Sequence, residues 1–225
     1  MSNSCLSSIG KKLIMSISGL FLVLFLLFHM SMNVVAIFSG EAYNAVCEFL
    51  GANWYALVGT GILALGFVFH IVYAFILSIQ NRKARGVERY ACQEKPATVE
   101  WASQNMLVLG CIVLVGLALH LSQFWYKMQF AEIAGITTNQ FGVADGAAWM
   151  QFYFSKPLIV VCYLIWFVAI WFHLGHGFWS ALQTIGWNNK VWIDRWRCIS
   201  NIVTTIIFLG FAAVVIAAYI KSLCC

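Results

Sequence analysis

The chain has 225 residues, 62% of them hydrophobic and only 9% charged, where an ordinary soluble domain carries about 25% charged residues. A mean hydropathy of +0.85, with apolar blocks of about 20 residues, excludes a soluble enzyme and assigns the chain to lipid. The formal net charge of +5 lies in short loops, so it reads as a membrane-orientation signal and argues against a nucleic-acid partner.

Five apolar segments are expected, at about 13–38, 54–80, 101–126, 157–185 and 198–220, and none contains Lys, Arg, Asp or Glu. Lipid admits only helices or closed barrels as spanning structures, and the period-2 alternation of a barrel is absent. The expected fold is therefore all-α and integral to the membrane: one domain over residues 1–225, built as a five-helix bundle.

The first segment follows Lys11-Lys12 and carries His29. It is too long for the apolar region of a signal peptide, about 7–15 residues, and no A-x-A site follows, so it is expected to be retained. A turn at Gly40-Glu41 and then Glu48 precede the second segment, which carries His70 and leads into Arg82, Lys83, Arg85, Arg89 and Lys95. The third carries His120 and ends near Lys127. Residues 128–156, with Gly135, Thr137-Thr138-Asn139 and Gly142 to Gly146, are expected to form an external loop with room for a short amphipathic helix. The fourth segment holds His173 and His176 in a stretch without formal charge from Pro157 to Asn189, and the fifth holds no histidine. With the N-terminus cytoplasmic, ten basic residues fall inside and three (Lys127, Lys156, Lys221) outside, which is the orientation the positive-inside rule selects.

Eight cysteines are present without a C-x-x-C pair, so neither a zinc nor an iron–sulfur site is indicated, and the absence of C-x-x-C-H excludes covalent haem attachment. The histidines carry the chemistry. An ionisable group at membrane depth is expensive unless it is used or paired. A lone one often serves only to bond a neighbouring helix, but four consecutive helices each carry one here. At about 1.5 Å rise per residue, His29 and His120 fall toward the outer level and His70 and His173 toward the inner. Two pairs at two depths is what two stacked bis-histidine haems require. Gly66, Gly116 and Gly177 each lie four residues from a histidine, on its helix face. They leave room for a flat ligand, or equally for close helix packing. A mononuclear zinc or copper would want its ligands at one level, with a carboxylate or thiolate nearby. Two histidines fill both axial positions of a haem, so electron transfer is the expected work.

These residues resemble the di-haem cytochrome b membrane subunit of succinate dehydrogenases and fumarate reductases, of the single-polypeptide five-helix kind. The likeness covers almost the whole chain. It rests on Phe28-His29-Met30 followed by Gly40-Glu41-Ala42-Tyr43-Asn44, on Phe69-His70-Ile71-Val72-Tyr73, on Leu119-His120-Leu121, and on Phe172-His173 through Gly177-Phe178-Trp179-Ser180 to Gly186. The resemblance implies two haems b, with His29 and His120 on the outer iron and His70 and His173 on the inner. Ser16 and His176 are further cofactor-binding candidates. The pattern of a ligand four residues before a glycine selects His173 over His176, which would face a neighbour, a propionate or water. It also implies a flavoprotein and an iron–sulfur protein on the cytoplasmic face, where Arg82, Lys83, Arg85, Arg89, Lys190, Arg195 and Arg197 gather with Trp187, Trp192 and Trp196. Near the outer face it implies a quinone, usually menaquinone. The implied location is a bacterial cytoplasmic membrane, and the resemblance leaves room for a dimer of the complex. Succinate or fumarate chemistry would belong to a partner subunit.

Quinone chemistry needs a titratable group beside the ring. Glu48 is the candidate, with Phe49 and Trp54 as packing rings, while Glu41 reads as a helix start and Glu132 and Asp145 as loop acids. The competing readings are the cytochrome b subunit of a nitrate reductase or hydrogenase, which places its histidines on fewer helices, and a transporter or non-haem anchor. Transporters favour repeats and broken helices, and no repeat is visible.

Overall fold

A computed structural model describes residues 7–84, 101–137 and 140–224. Arg85, Arg89 and Lys95 of the basic loop, Cys5, Cys92 and Cys225, and Thr138-Asn139 lie outside the described residues. Helix α1 (Ser8–Phe38) starts at Ser7, whose side chain accepts from Gly10 N at 3.1 Å. Ser39 both ends α1, donating its N–H to Val35 O, and caps α2 (Gly40–Phe49) by accepting from Ala42 N. Helix α3 (Trp54–Ala84) is followed, after the undescribed stretch, by the short α4 (Trp101–Gln104) and by α5 (Met106–His120). Beyond His120 the helix continues as a π-helical stretch, Leu121–Phe130, into α6 (Ala131–Ile133). Then come α7 (Gly146–Phe154), α8 (Pro157–Thr184, with proline at its start) and α9 (Trp192–Cys224).

Among the described residues, five stretches are long and apolar enough to cross a membrane: Ile9–Phe38, Trp54–Ala84, Met106–Ile133, Pro157–Thr184 and Trp192–Cys224. The all-helical, five-span expectation therefore holds among the described residues, with all but the fourth span longer than hydropathy marked. Helices run on into the interface because a spanning segment's ends need not be apolar to stay hydrogen-bonded. Two connections are more helical than a turn and a loop with one short helix. Residues 40–49 are helical, and the 128–156 region is helical at both ends, up to Ile133 and over Gly146–Phe154. Helices α2 and α7 lie together at one end of the bundle, clasped by Asn44: its Nδ2 donates to Asp145 Oδ1 at 2.8 Å and its Oδ1 accepts from Ala147 N at 2.9 Å. At the other end Gly186, at φ 92°, turns the chain out of α8, a left-handed conformation that suits glycine, and Asn189 caps the start of α9 by accepting from Trp192 N.

Helix α1 packs against α3 and α8, and α8 against α5, so the order around the bundle is α3, α1, α8, α5. Helix α9 lies behind α1 and α8. In lipid there is little hydrophobic drive between helices, and close approach at small residues does the work. The glycines show this. A Cβ at Gly66 would overlap Phe21 of α1, one at Gly116 would overlap the Trp166 ring of α8, and one at Gly210 would overlap Met30 of α1. The core between α1, α8 and α9 includes Tyr163, Phe167, Ile207 and Val215, all nearly inaccessible.

Candidate cofactor site: two histidine pairs

The four histidines meet as two pairs. The rings of His29 (α1) and His120 (end of α5) have centres 5.8 Å apart and stand nearly perpendicular, at 81°. Those of His70 (α3) and His173 (α8) are 6.2 Å apart at 74°. Each pair skips one helix in the order around the bundle, so the two lie on its two diagonals and cross its interior. His29 is nine residues from the α2–α7 end of its helix and His173 is sixteen from that end of its own; at about 1.5 Å per residue the levels differ by roughly 10 Å.

The spacing has a chemical meaning. A metal–imidazole bond is about 2 Å and a ring nitrogen lies about 1 Å from the ring centre, so two imidazoles on opposite sides of one metal have centres roughly 6 Å apart. Among the described residues no group of three or more His, Cys, Asp or Glu side chains could hold a metal ion. A zinc or copper site built from the protein's own ligands is therefore not assembled by these residues. Two such imidazoles would suit a haem iron, which brings its other ligands with it. The Nδ1 atoms of both His70 and His173 are buried without a hydrogen-bond partner, an arrangement that costs about 1–3 kcal/mol unless something else satisfies the atom. The pairs fit a bis-histidine haem on these grounds.

The surroundings of the two levels differ. His29 stacks on Phe25 at 5.3 Å and lies 5.8 Å from Phe211. Asn33 donates to the His29 carbonyl at 2.8 Å and itself accepts from the Tyr43 hydroxyl at 3.0 Å. Burial holds that hydroxyl in its neutral form and pushes the adjacent Cys47 thiol up to about 11. His120 faces Tyr163, whose hydroxyl is 3.5 Å from its Nδ1 and donates to the buried Gln123 at 2.8 Å; Phe124 and Trp166 flank the ring at 5.3 and 5.8 Å. Around the His70–His173 pair the neighbours are small. A Cβ at Gly19 would come within 3.3 Å of His70 Cε1, and one at Gly110 within 3.6 Å of His173 Cε1.

Gly66 and Gly116 thus serve helix packing against Phe21 and Trp166, and Gly177 approaches Met106, so spacing along one helix picked glycines that face neighbouring helices. The glycines beside the inner pair, Gly19 and Gly110, sit on α1 and α5, which contribute no histidine to that pair. Only the packing of four helices reveals them. Ser16 is buried one turn before Gly19. His176 stands against Trp179, with ring centres 5.1 Å apart, while His173 is the one that meets His70. Glu48 is exposed at the end of α2. Phe49 and Trp54 are 63% and 77% exposed and gather on Tyr55. Glu132 accepts from Ala52 N at 3.1 Å and Asp145 caps α7 by accepting from Ala148 N at 3.1 Å, so both loop acids hold the backbone.

No family model and no solved structure matches the chain. One curated protein does: the succinate dehydrogenase cytochrome b558 subunit of Bacillus subtilis, 26% identical over 193 residues, which is 85% of this chain and 85% of that protein. The likeness carried by the four histidine stations is therefore borne out: over most of its length this chain is similar to a cytochrome b membrane subunit of a succinate dehydrogenase.

Proposed function

We propose that the chain is the membrane-anchor cytochrome b of a succinate:quinone oxidoreductase, carrying electrons between a membrane quinone and soluble iron–sulfur and flavoprotein partners through two haems b. The single observation that carries this reading is the pair of histidine pairs, at 5.8 and 6.2 Å, on the two diagonals of the bundle and at two levels. His29 with His120 and His70 with His173 would hold the two irons from both sides. Bound there, the haems supply one-electron redox chemistry. Since two of these imidazoles would hold each iron, the chemistry it would supply is electron transfer and not oxygen binding. The relative's name supports the partnership with a succinate dehydrogenase.

The chain's own residues do the rest. Helices α1, α3, α5 and α8 fix the imidazoles. Phe25, Phe124, Trp166 and Phe211 exclude water from the His29–His120 level, and a dry site strengthens every charge interaction inside it. Converting a quinone into a quinol takes two electrons and two protons at its two oxygens. The electrons come singly from succinate oxidation on the partner, and the protons come from water at the α2–α7 end. Glu48, exposed at that end, is the proposed proton carrier. With the N-terminus cytoplasmic, the α2–α7 end faces outward and the partners dock on the opposite end, in a bacterial cytoplasmic membrane.

A reduced-minus-oxidised visible spectrum of the purified protein tests the reading. A b-type α band is expected, with two haems per chain by pyridine haemochrome. No such band would refute the proposal.

A further inference from the structure

The two histidine levels differ in what stands at the Nδ1 atoms. Those of His70 and His173 are buried without a hydrogen-bond partner. At His120 a phenol stands there: Tyr163 Oη lies 3.5 Å from Nδ1 and donates to Gln123 Oε1 at 2.8 Å. A hydroxyl has one proton to give. That proton goes to Gln123, so what Tyr163 offers His120 is a lone pair. Nδ1 is then the nitrogen that carries hydrogen, and Nε2 is the one left free to bind a metal.

The phenol is held on every side. The ring of Tyr163 meets Phe154, Trp166 and Phe167 edge-on, at 5.0, 5.6 and 5.9 Å. Trp166 is itself tied to the Val113 carbonyl at 3.0 Å, and Phe167 stacks on Phe211 at 5.4 Å. Gln123 belongs to the π-helical stretch that opens directly after His120. Such stretches are rare and are found most often at functional sites. Both Tyr163 and Gln123 are buried, where a phenol and an amide are costly unless bonded. Packing alone would be served as well by phenylalanine at 163 and leucine at 123. Away from water their bond to each other is strong and well defined.

We propose that Tyr163 and Gln123 are positioning residues for His120: the run from Nδ1–H to Oη, and from Oη–H to Oε1, fixes the tautomer and plane of the imidazole and raises its basicity toward a haem iron. The proposal rests on the cytochrome b reading above and adds the groups that stand behind one ligand. A histidine whose second N–H is accepted by a neighbour is a more basic ligand. That favours oxidised iron, and hydrogen bonds of this kind are one means by which a protein sets a haem potential. Removing the phenol oxygen should raise the midpoint potential at the His29–His120 level and leave the His70–His173 level unmoved.

The test is a potentiometric titration of the b-type α band in the assembled complex, with haem per chain from pyridine haemochrome. Tyr163→Phe removes one oxygen and keeps the ring. It should retain two haems and shift the redox equilibrium of one of them about threefold toward reduced iron, roughly 28 mV at about 59 mV per tenfold for one electron. The component that moves should be the one lost in His120→Ala. Gln123→Leu should move the same component in the same direction by less. Gln123→Glu, which still offers the phenol an acceptor, should stay near the wild type. Unmoved potentials in Tyr163→Phe, a shift toward oxidised iron, or a shift confined to the other component would overturn the assignment. Should Tyr163→Phe lose a haem, Gln123→Leu decides, and an unmoved potential there overturns it. Those outcomes leave the cytochrome reading intact, whereas a wild-type complex without a b-type band overturns both.

Discussion

At the scale of single residues, the pairing is what separates His173 from His176. Both lie three residues apart on α8, yet only His173 reaches a histidine of another helix, while His176 packs on Trp179. Replacing His173 with Ala should remove one haem of the two, because a haem held on one side alone loses half its protein anchorage. His176→Ala should keep both, and pyridine haemochrome per chain reads the difference. Loss of a haem in His176→Ala with retention in His173→Ala would reverse the assignment. For Glu48 the expectation is kinetic. Its carboxylate is exposed, so Glu48→Gln should lower kcat for quinone severalfold with KM little changed. An unchanged kcat would mark it as an ordinary surface acid. The four histidines were legible in the sequence because an unpaired imidazole is costly in lipid, which makes each one conspicuous against apolar neighbours. Gly19 and Gly110 were not legible, since glycine is common in membrane helices for packing alone and nothing in a linear spacing says which helix it faces.

At the scale of elements, glycine sets how closely the histidine helices approach. Gly116 of α5 lies under the indole of Trp166, which donates to the Val113 carbonyl at 3.0 Å and sits 5.8 Å from His120. A branched side chain at 116 must displace that ring, and overpacking of this kind costs about 1–3 kcal/mol. The shift falls on the contact that places His120. Gly116→Val should therefore lose the haem of the His29–His120 pair and spare the other. Gly61→Val is the control, because nothing lies within 4 Å of a Cβ there; it should keep both haems. Equal haem content in the two variants would show that Gly116 does not position His120. The helices themselves were legible as apolar runs free of charge. The helix over residues 40–49, short and amphipathic, showed only in Glu41 as an acid suited to a helix start, and the π-helical stretch after His120 was hidden. Its widened turns follow from contacts far away in sequence: Gln129 accepts from Thr60 and donates to the Gly51 carbonyl, and the buried Gln123 accepts from Tyr163.

At the scale of the whole molecule, the two ends of the bundle are chemically unlike, and on the proposed function the difference suits different partners. The α2–α7 end holds the exposed acids Glu41 and Glu48. The opposite end gathers a rigid aromatic and cationic surface. Trp187 and Trp196 stack at 5.9 Å, Trp192 and Trp196 at 5.3 Å, and Arg195 lies 5.1 Å over Trp192. Arg197 lies 4.5 Å over Trp179. Arg82 and Lys83 close α3 at the same end. Part of this is the aromatic belt and basic excess that any inner face shows. Yet Trp187 is 60% exposed, and tryptophan and arginine are the side chains that anchor protein interfaces. The His70–His173 pair is the one nearer this end, so a redox partner seated there would meet the nearer haem first. Crosslinking of the assembled complex should therefore join the soluble partners to residues 187–197 and to the end of α3. A double substitution, Trp187→Ala with Arg195→Ala, should weaken retention of the partners on the membrane at least tenfold while both haems stay bound. Crosslinks that fall only on residues 127–156 would place the partners at the other end, and would reverse both the docking assignment and the orientation of the chain.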